Sequence, residues 1–124
     1  MSSWTNDELA RIAAADELQI TTTRRNGSPR TPVTIWVVRV GDDLYVRSAR
    51  GREGAWFRHA TAHPDGRISA GGVDREVTFE RADQALTAAV DDAYRTKYAR
   101  YPDANLRPMI SPNSQATTLR LVAR

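Results

Sequence analysis

The 124-residue chain contains no cysteine, and among its 18 basic residues Lys97 is the single lysine. Without thiols there are no disulfides, no thiolate metal ligands and no cysteine nucleophile. No apolar run approaches the roughly 20 residues that cross a bilayer. The opening MSSWTNDELARI has neither the basic start nor the apolar stretch of a signal peptide, so a cytoplasmic protein is expected. There is no G-x-G-x-x-G or P-loop, and no serine carries the flanks of a hydrolase elbow. His59 and His63 are four apart, a spacing used by metals. No glutamate follows His59, however, and no carboxylates cluster beside the pair, so no metal site is expected. Asp91 and Asp92 are adjacent and face different sides of a helix, which makes them no acid–base pair. Neither His59 nor Asp91 is expected to be indispensable. The length suits one domain over residues 1–124.

What the chain has is arginine, placed unevenly. The formal net charge is only +3, with a pI near 9.8. Between Arg24 and Arg58, however, eight arginines face three acids (Asp42, Asp43 and Glu53), leaving the rest of the chain close to neutral. Arginine grips phosphate or carboxylate with two parallel hydrogen bonds. The low total charge, and the lack of exposed aromatics interleaved with these arginines in a reading motif, argue against nucleic acid as a partner. A small anionic ligand is the expected one.

The same stretch reads as three consecutive strands running into a glycine-containing loop and a short helix. A capping box, Thr5-Asn6-Asp7-Glu8, opens a first helix with Leu9, Ile12 and Ala13 on its apolar stripe. Trp4 stands before it, ready to pack on Leu9 or on a sheet. Strand one runs from Leu18 to Arg24, and Asn26-Gly27 is a hairpin signal. Strand two, Thr31 to Val40, is the longest and is apolar on both faces, which predicts burial on both sides in a barrel wall. After the turn Gly41-Asp42-Asp43, strand three runs from Leu44 to Ser48 and empties into Ala49-Arg50-Gly51-Arg52-Glu53-Gly54 before a helix over Ala55–Ala62. Arginines and open amides beside a helix start can seat an anion.

Further along, Arg67–Ala70 and Val73–Glu80 flank Gly71-Gly72 as a second hairpin, and apolar spacing predicts a long helix from Asp83 to Tyr98. Asp91 lies off its apolar stripe. Tyr94, Lys97, Tyr98 and Tyr101 share one side, a pattern that fits core packing better than a pocket mouth. A proline-punctuated loop precedes the last strand, Ala116–Val122. The order argues an α+β fold, a mostly antiparallel split β-barrel with flanking helices.

Three segments carry a resemblance. They are Ile20-Thr21-Thr22-Thr23-Arg24-Arg25-Asn26-Gly27-Ser28-Pro29-Arg30-Thr31-Pro32-Val33, then Leu44-Tyr45-Val46-Arg47-Ser48, then Trp56-Phe57-Arg58-His59-Ala60. In this order they resemble the flavin- and deazaflavin-binding split β-barrel superfamily, the pyridoxamine-phosphate-oxidase-like and deazaflavin-dependent nitroreductase-like proteins. His63-Pro64 stands where that branch has Asn-Pro, and Arg25-Asn26-Gly27-Ser28 is a shortened form of its turn. Over its whole length the chain is most similar to an uncharacterised bacterial family of unknown function related to that fold.

The resemblance implies a cofactor, FMN or deazaflavin, with its phosphate held from two sides. One side is Arg30, Thr31 and Pro32, and the other is Arg47, Ser48, Ala49, Arg50 and Gly51, with Trp56 nearby. Arg30, Arg47, Arg50 and Ser48 are expected to converge on one anion, Trp36 and Trp56 to wall the ring system, and Arg52 and Arg58 to stand at the rim. It also implies a homodimer and a small-molecule substrate. The expected function is a flavin- or deazaflavin-dependent oxidoreductase that transfers a hydride to a small organic substrate. The alternative is a non-redox split barrel that binds a small acidic metabolite or serves as an interaction module.

Overall fold

A computed structural model describes residues 4–124, so residues 1–3 of the N-terminal stretch considered above lie outside it. Helix α1 (Asn6–Ala14) starts where the capping box requires: the Thr5 hydroxyl accepts from the Glu8 amide at 3.0 Å and the Glu8 carboxylate accepts from the Thr5 amide at 2.9 Å. Then come β1 (Leu18–Thr22), β2 (Val33–Ile35), β3 (Val38–Val40), β4 (Asp43–Val46), α2 (Ala55–Ala62), β5 (Asp65–Ala70) and β6 (Val73–Arg81). The chain closes with α3 (Thr87–Lys97), the short α4 (Asp103–Leu106) and α5 (Pro112–Gln115), and β7 (Leu119–Ala123). Ala70 pairs with Val73 across Gly71 and Gly72, whose φ angles of 57° and 83° are those of the two-residue hairpin turn that matches strand twist.

The seven strands form one antiparallel sheet in the order β2-β1-β5-β6-β7-β4-β3. Strands β2 and β3 occupy its two opposite edges, yet only Trp36 and Val37 separate them in sequence. The three steps from Ile35 to Val38 reach at most about 10 Å. The sheet must therefore curl until its edges nearly meet, and the barrel is split at Trp36-Val37. This corrects the reading of residues 31–40 as one strand buried on both faces. The segment changes partner halfway, and Thr31, Pro32, Val33 and Thr34 are exposed, Val33 by 40 %.

Helix α3 closes the split. Where the ladder is interrupted, the Val37 amide donates to the Tyr98 hydroxyl at 3.2 Å, and the Val37 carbonyl accepts from Lys97 Nζ at 2.7 Å. Trp36 stacks flat on Tyr98, with centroids 3.9 Å apart and planes 2° from parallel. Tyr94 and Tyr98 are fully buried with Val38, Tyr45, Val90 and Met109, so the tyrosine side is core packing. The barrel interior holds a second cluster, with Ile12, Leu18, Ile20, Val46, Ile68 and Leu121 among its members. Trp4 packs on it and donates from Nε1 to the Leu121 carbonyl at 2.9 Å, docking α1 on the sheet.

Two boundaries and the placement of Asp91 differ from the sequence reading. The long helix begins at Thr87, because Asp83 caps a preceding 3-10 turn over 84–86 by accepting from the Ala85 amide at 2.9 Å. Residues 116–118 complete a turn after α5, with the Thr117 and Thr118 amides donating to the Ser114 and Gln115 carbonyls, so the last strand starts at Leu119. Asp91 is buried rather than set off the packed face.

Burial pulls the Lys97 ammonium from 10.5 down to about 8, with the Arg100 charge adding to the effect and Asp16 opposing it. A folded-state value below the unfolded one penalises the native state below pH 8, and the penalty lifts as pH rises toward 10.5. Relative to Lys97→Met, the wild type should therefore gain stability from about pH 7 to about pH 9.5. Urea denaturation across that range checks this, and parallel curves for the two proteins would refute it. Burial raises the Tyr98 phenol, which acts in the opposite direction only at higher pH.

Candidate functional site

The end of β4, the 49–54 loop and the start of α2 form one wall of a cleft of about 360 Å³, and β2 with Trp36 forms another. The floor is built from Arg47, which is 1 % exposed. Its Nε donates to Thr118 Oγ1 at 2.8 Å, Nη1 donates to the Met109 carbonyl at 3.0 Å and also to Asp91 Oδ1, and Nη2 donates to the Thr87 carbonyl at 3.3 Å. Asp91 Oδ2 accepts from Gln115 Nε2 at 2.9 Å. Every polar atom of the guanidinium is thus engaged. Arg47 ties the end of the barrel wall to α3 and the 107–118 segment, and it shapes the cleft rather than offering a free charge to it.

Above this floor, the Ser48 amide donates to Thr117 Oγ1 at 2.9 Å, which fixes the backbone. The Ser48 hydroxyl lines the cleft and makes no hydrogen bond to any described residue. It lies against Gly54, where an added Cβ would stand 2.3 Å from Oγ, so only glycine lets the hydroxyl sit beside the start of α2. Gly54 is the N-cap of α2 and supplies no side-chain cap. The first amides of that helix therefore lack intrahelical partners and form its positive end. Arg50 and Ala49 are exposed at the cleft, and Trp36 and Trp56, both half-buried, give it apolar walls beside Val33 and Ile35. An apolar slot with a hydroxyl, a guanidinium and open amides at one end suits a flat ring carrying a phosphate.

The structure separates three arginines that the sequence expectation placed together. Arg50 borders the cleft and Arg47 lies beneath it in the Asp91 network. Arg30 does not line the cleft. It is half-buried, and its Nε is buried without a hydrogen-bond partner, a state that costs about 1–3 kcal/mol when nothing compensates. Thr31 and Pro32 are exposed on the connection from Arg30 to β2 and also stand outside the cleft, as does the buried Gly51. Ser48, Ala49, Arg50 and Trp56 are brought together at the cleft; Arg30, Thr31, Pro32 and Gly51 do not line it.

Sequence reasoning missed Asp91 and Thr118 as the partners of Arg47, and Asn105 and Met109 as cleft-lining residues. Asn105 lies in α4 and Met109 in the 3-10 turn over 107–110, a segment the sequence reading took as a loop and which carries no local signal for the site. Among the described residues no three metal-ligating side chains converge. No helix of the described residues is long and apolar enough to cross a membrane.

The sequence profile of a bacterial family, DUF2255, described as an uncharacterized protein conserved in bacteria, matches residues 8–121, and the chain belongs to that family. No curated protein matches it in sequence. The fold recurs in solved structures. A Listeria innocua protein proposed to be a pyridoxamine 5′-phosphate oxidase superposes with a TM-score of 0.67 at 13 % identity, over 96 % of this chain and 92 % of its own. An F420 reductase gives 0.57 at 17 %, over 93 % and 90 % of the two chains. An FAD-binding protein from Mesorhizobium loti gives 0.58 at 13 %, over 98 % and 91 %. At these identities the likeness shows the fold, a split barrel shared with flavin- and F420-type proteins.

Proposed function

We propose that the cleft holds the ring system and first phosphate of a flavin or deazaflavin, and that the protein is an oxidoreductase. The observation that carries this reading is the Ser48 hydroxyl, partnerless and held by a glycine-only gap against the uncapped start of α2, at the mouth of a tryptophan-walled slot. Ser48, Arg50 and the amides at the start of α2 hold the phosphate, with Ala49 and Gly51 shaping the loop between them. Trp56 and Trp36 wall the ring. Arg47 acts on the site by fixing the floor, and Arg30, Thr31 and Pro32 lead into β2, whose Val33 lines the cleft. The cofactor supplies hydride chemistry when bound. The protein binds it, orients it and keeps water from the ring face, which agrees with a cleft that holds no acid–base dyad. The substrate is a small organic molecule, in keeping with a cleft of about 360 Å³ lined in part by apolar side chains.

Two copies per assembly fit the exposed edge strand β2, whose Val33 is the one large apolar side chain exposed among the described residues. Fluorescence titration of purified protein with FMN, FAD and the deazaflavin F420 tests the reading. At least one should bind and quench, and light scattering of the same sample should give twice the monomer mass. Should none of the three bind while a simple dicarboxylate stabilises the protein thermally, the non-redox alternative replaces the oxidoreductase.

A further inference from the structure

Arg52, expected at the rim of the cleft, does not line it. It lines a second cavity, of about 240 Å³, together with Thr87, Gln115 and Thr118, three of the residues that hold Arg47 and Asp91. Arg47 itself lines the cleft, so the same network borders both spaces. The second cavity is smaller than the roughly 300–1,000 Å³ that takes a drug-sized ligand, which leaves room for a small molecule and none for a flavin.

Its two guanidinium groups come from separate elements. Arg52 sits in the 3-10 turn over 51–53, and Arg81 ends β6. Contacts with α5 and its C-cap hold both in place. Arg81 Nη1 donates to the Ala116 carbonyl at 3.4 Å, and Asn113 Nδ2 donates to the Arg50 carbonyl at 3.5 Å. Gly51 packs on Asn113 so closely that an added Cβ would stand 2.3 Å from its side chain. Arg81 also lies over the Phe57 ring, 5.4 Å from its centroid.

The polar groups around this space are incompletely used. The Arg52 guanidinium, the Thr87 hydroxyl and the Gln84 side-chain amide make no hydrogen bond to any described residue. Gln115 commits Nε2 to Asp91 and to the Ile110 carbonyl, while its Oε1 accepts from no described residue. Asp83 Oδ1 accepts from the Ala85 amide, which leaves Oδ2 open. The charged groups of the lining are two guanidiniums and one carboxylate, an excess of one positive charge.

We infer that this cavity is a second binding site, for a small carboxylate that carries a hydrogen-bond donor beside its carboxyl group, an α-hydroxy or α-amino acid. Arg52 and Arg81 take the carboxylate through charge-assisted bonds. Asp83 Oδ2 and Gln115 Oε1 accept from the neighbouring hydroxyl or ammonium. A phosphate dianion exceeds the single excess charge and is repelled by Asp83. The inference does not depend on the cofactor reading of the cleft.

The test is a nuclear magnetic resonance titration at low salt with lactate, alanine, propionate and inorganic phosphate. The proteins are the wild type, Arg52→Ala, Asp83→Asn and, as a control in the cleft, Arg50→Ala. Lactate or alanine should shift the amide signals of Thr87 and Gln115 and bind at least about fivefold more tightly than propionate or phosphate. The better of the two identifies the donor. Arg52→Ala should weaken that ligand about tenfold or more, and thermal melting should show it folded, since its side chain bonds to no described residue. Asp83→Asn keeps an acceptor for the Ala85 amide and should bring the ligand down to the level of propionate. Arg50→Ala should leave its affinity within about threefold of wild type. The inference is overturned by propionate or phosphate binding as well as both, by Arg52→Ala matching the wild type, or by Asp83→Asn keeping the preference. Affinity lost in Arg50→Ala, with shifts confined to Ser48 and Trp56, would move the anion to the cleft and overturn it too, as would the absence of binding by all four compounds.

Discussion

Asp91→Ala should destabilise the protein by about 3–5 kcal/mol, because it leaves the Arg47 guanidinium charged and buried without its counter-ion. The Arg47 side chain is 0 % exposed and that of Asp91 12 %, so water cannot replace the missing partner. Arg47→Ala should cost a similar amount, since it strands Asp91 and also breaks the ties to Thr118, Met109 and Thr87. For a domain of this size such losses lower the melting temperature by roughly 10–20 °C. The double exchange Arg47→Met/Asp91→Leu should recover a large part of the loss, because apolar replacement of both partners removes the desolvation cost that one partner alone leaves behind. Arg39→Ala, which breaks an exposed pair with Asp42 at 3.6 Å, should cost under about 1 kcal/mol. Urea denaturation of the four variants measures the pattern. A double variant no more stable than either single one would show that the pair contributes more than mutual compensation.

Trp56→Ala should lower flavin or deazaflavin affinity by roughly tenfold to a hundredfold while leaving the fold largely intact. The indole is half-buried, lines the cleft and meets Phe57 edge-on at 6.3 Å, so the core loses a peripheral contact and the slot loses a wall. Trp36→Ala separates the two roles differently. Trp36 lies flat on Tyr98 and lines the same cleft, so its loss should reduce affinity and also loosen the closure of the barrel. Fluorescence titration beside thermal melting distinguishes them. If Trp56→Ala kept full affinity, the ring would have to lie elsewhere in the cleft.

Local chemistry was legible where a signal acts over a few residues. The Thr5–Glu8 box, the helix at Ala55–Ala62 and the Gly71-Gly72 hairpin all formed where their residues placed them, because each satisfies its own backbone or sets its own φ angles. The loop from Ser48 to Gly54 was likewise readable as the approach to a helix start, and three of its expected site residues, Ser48, Ala49 and Arg50, line the cleft. The resemblance in the first hairpin and the Trp56 helix pointed to the split-barrel fold that the structure adopts.

Pairing partners and charge partners were not legible. Residues 31–40 read as one strand because alternation says which face a side chain takes and nothing about which strand lies alongside. Only the curled sheet makes Val33–Ile35 pair with β1 and Val38–Val40 with β4. The arginines posed the same problem in electrostatic form. By itself the sequence determined that positive charge concentrates between Arg24 and Arg58, that no thiol chemistry is available, and that the chain builds antiparallel strands with short helices. The tertiary structure alone decided that Arg47 is neutralised by Asp91, 44 residues away, while Arg30 keeps an unpartnered Nε and Arg50 borders the cleft. A guanidinium's role depends on which carboxylate reaches it and on how much water remains, and both are set by contacts between segments far apart in the chain.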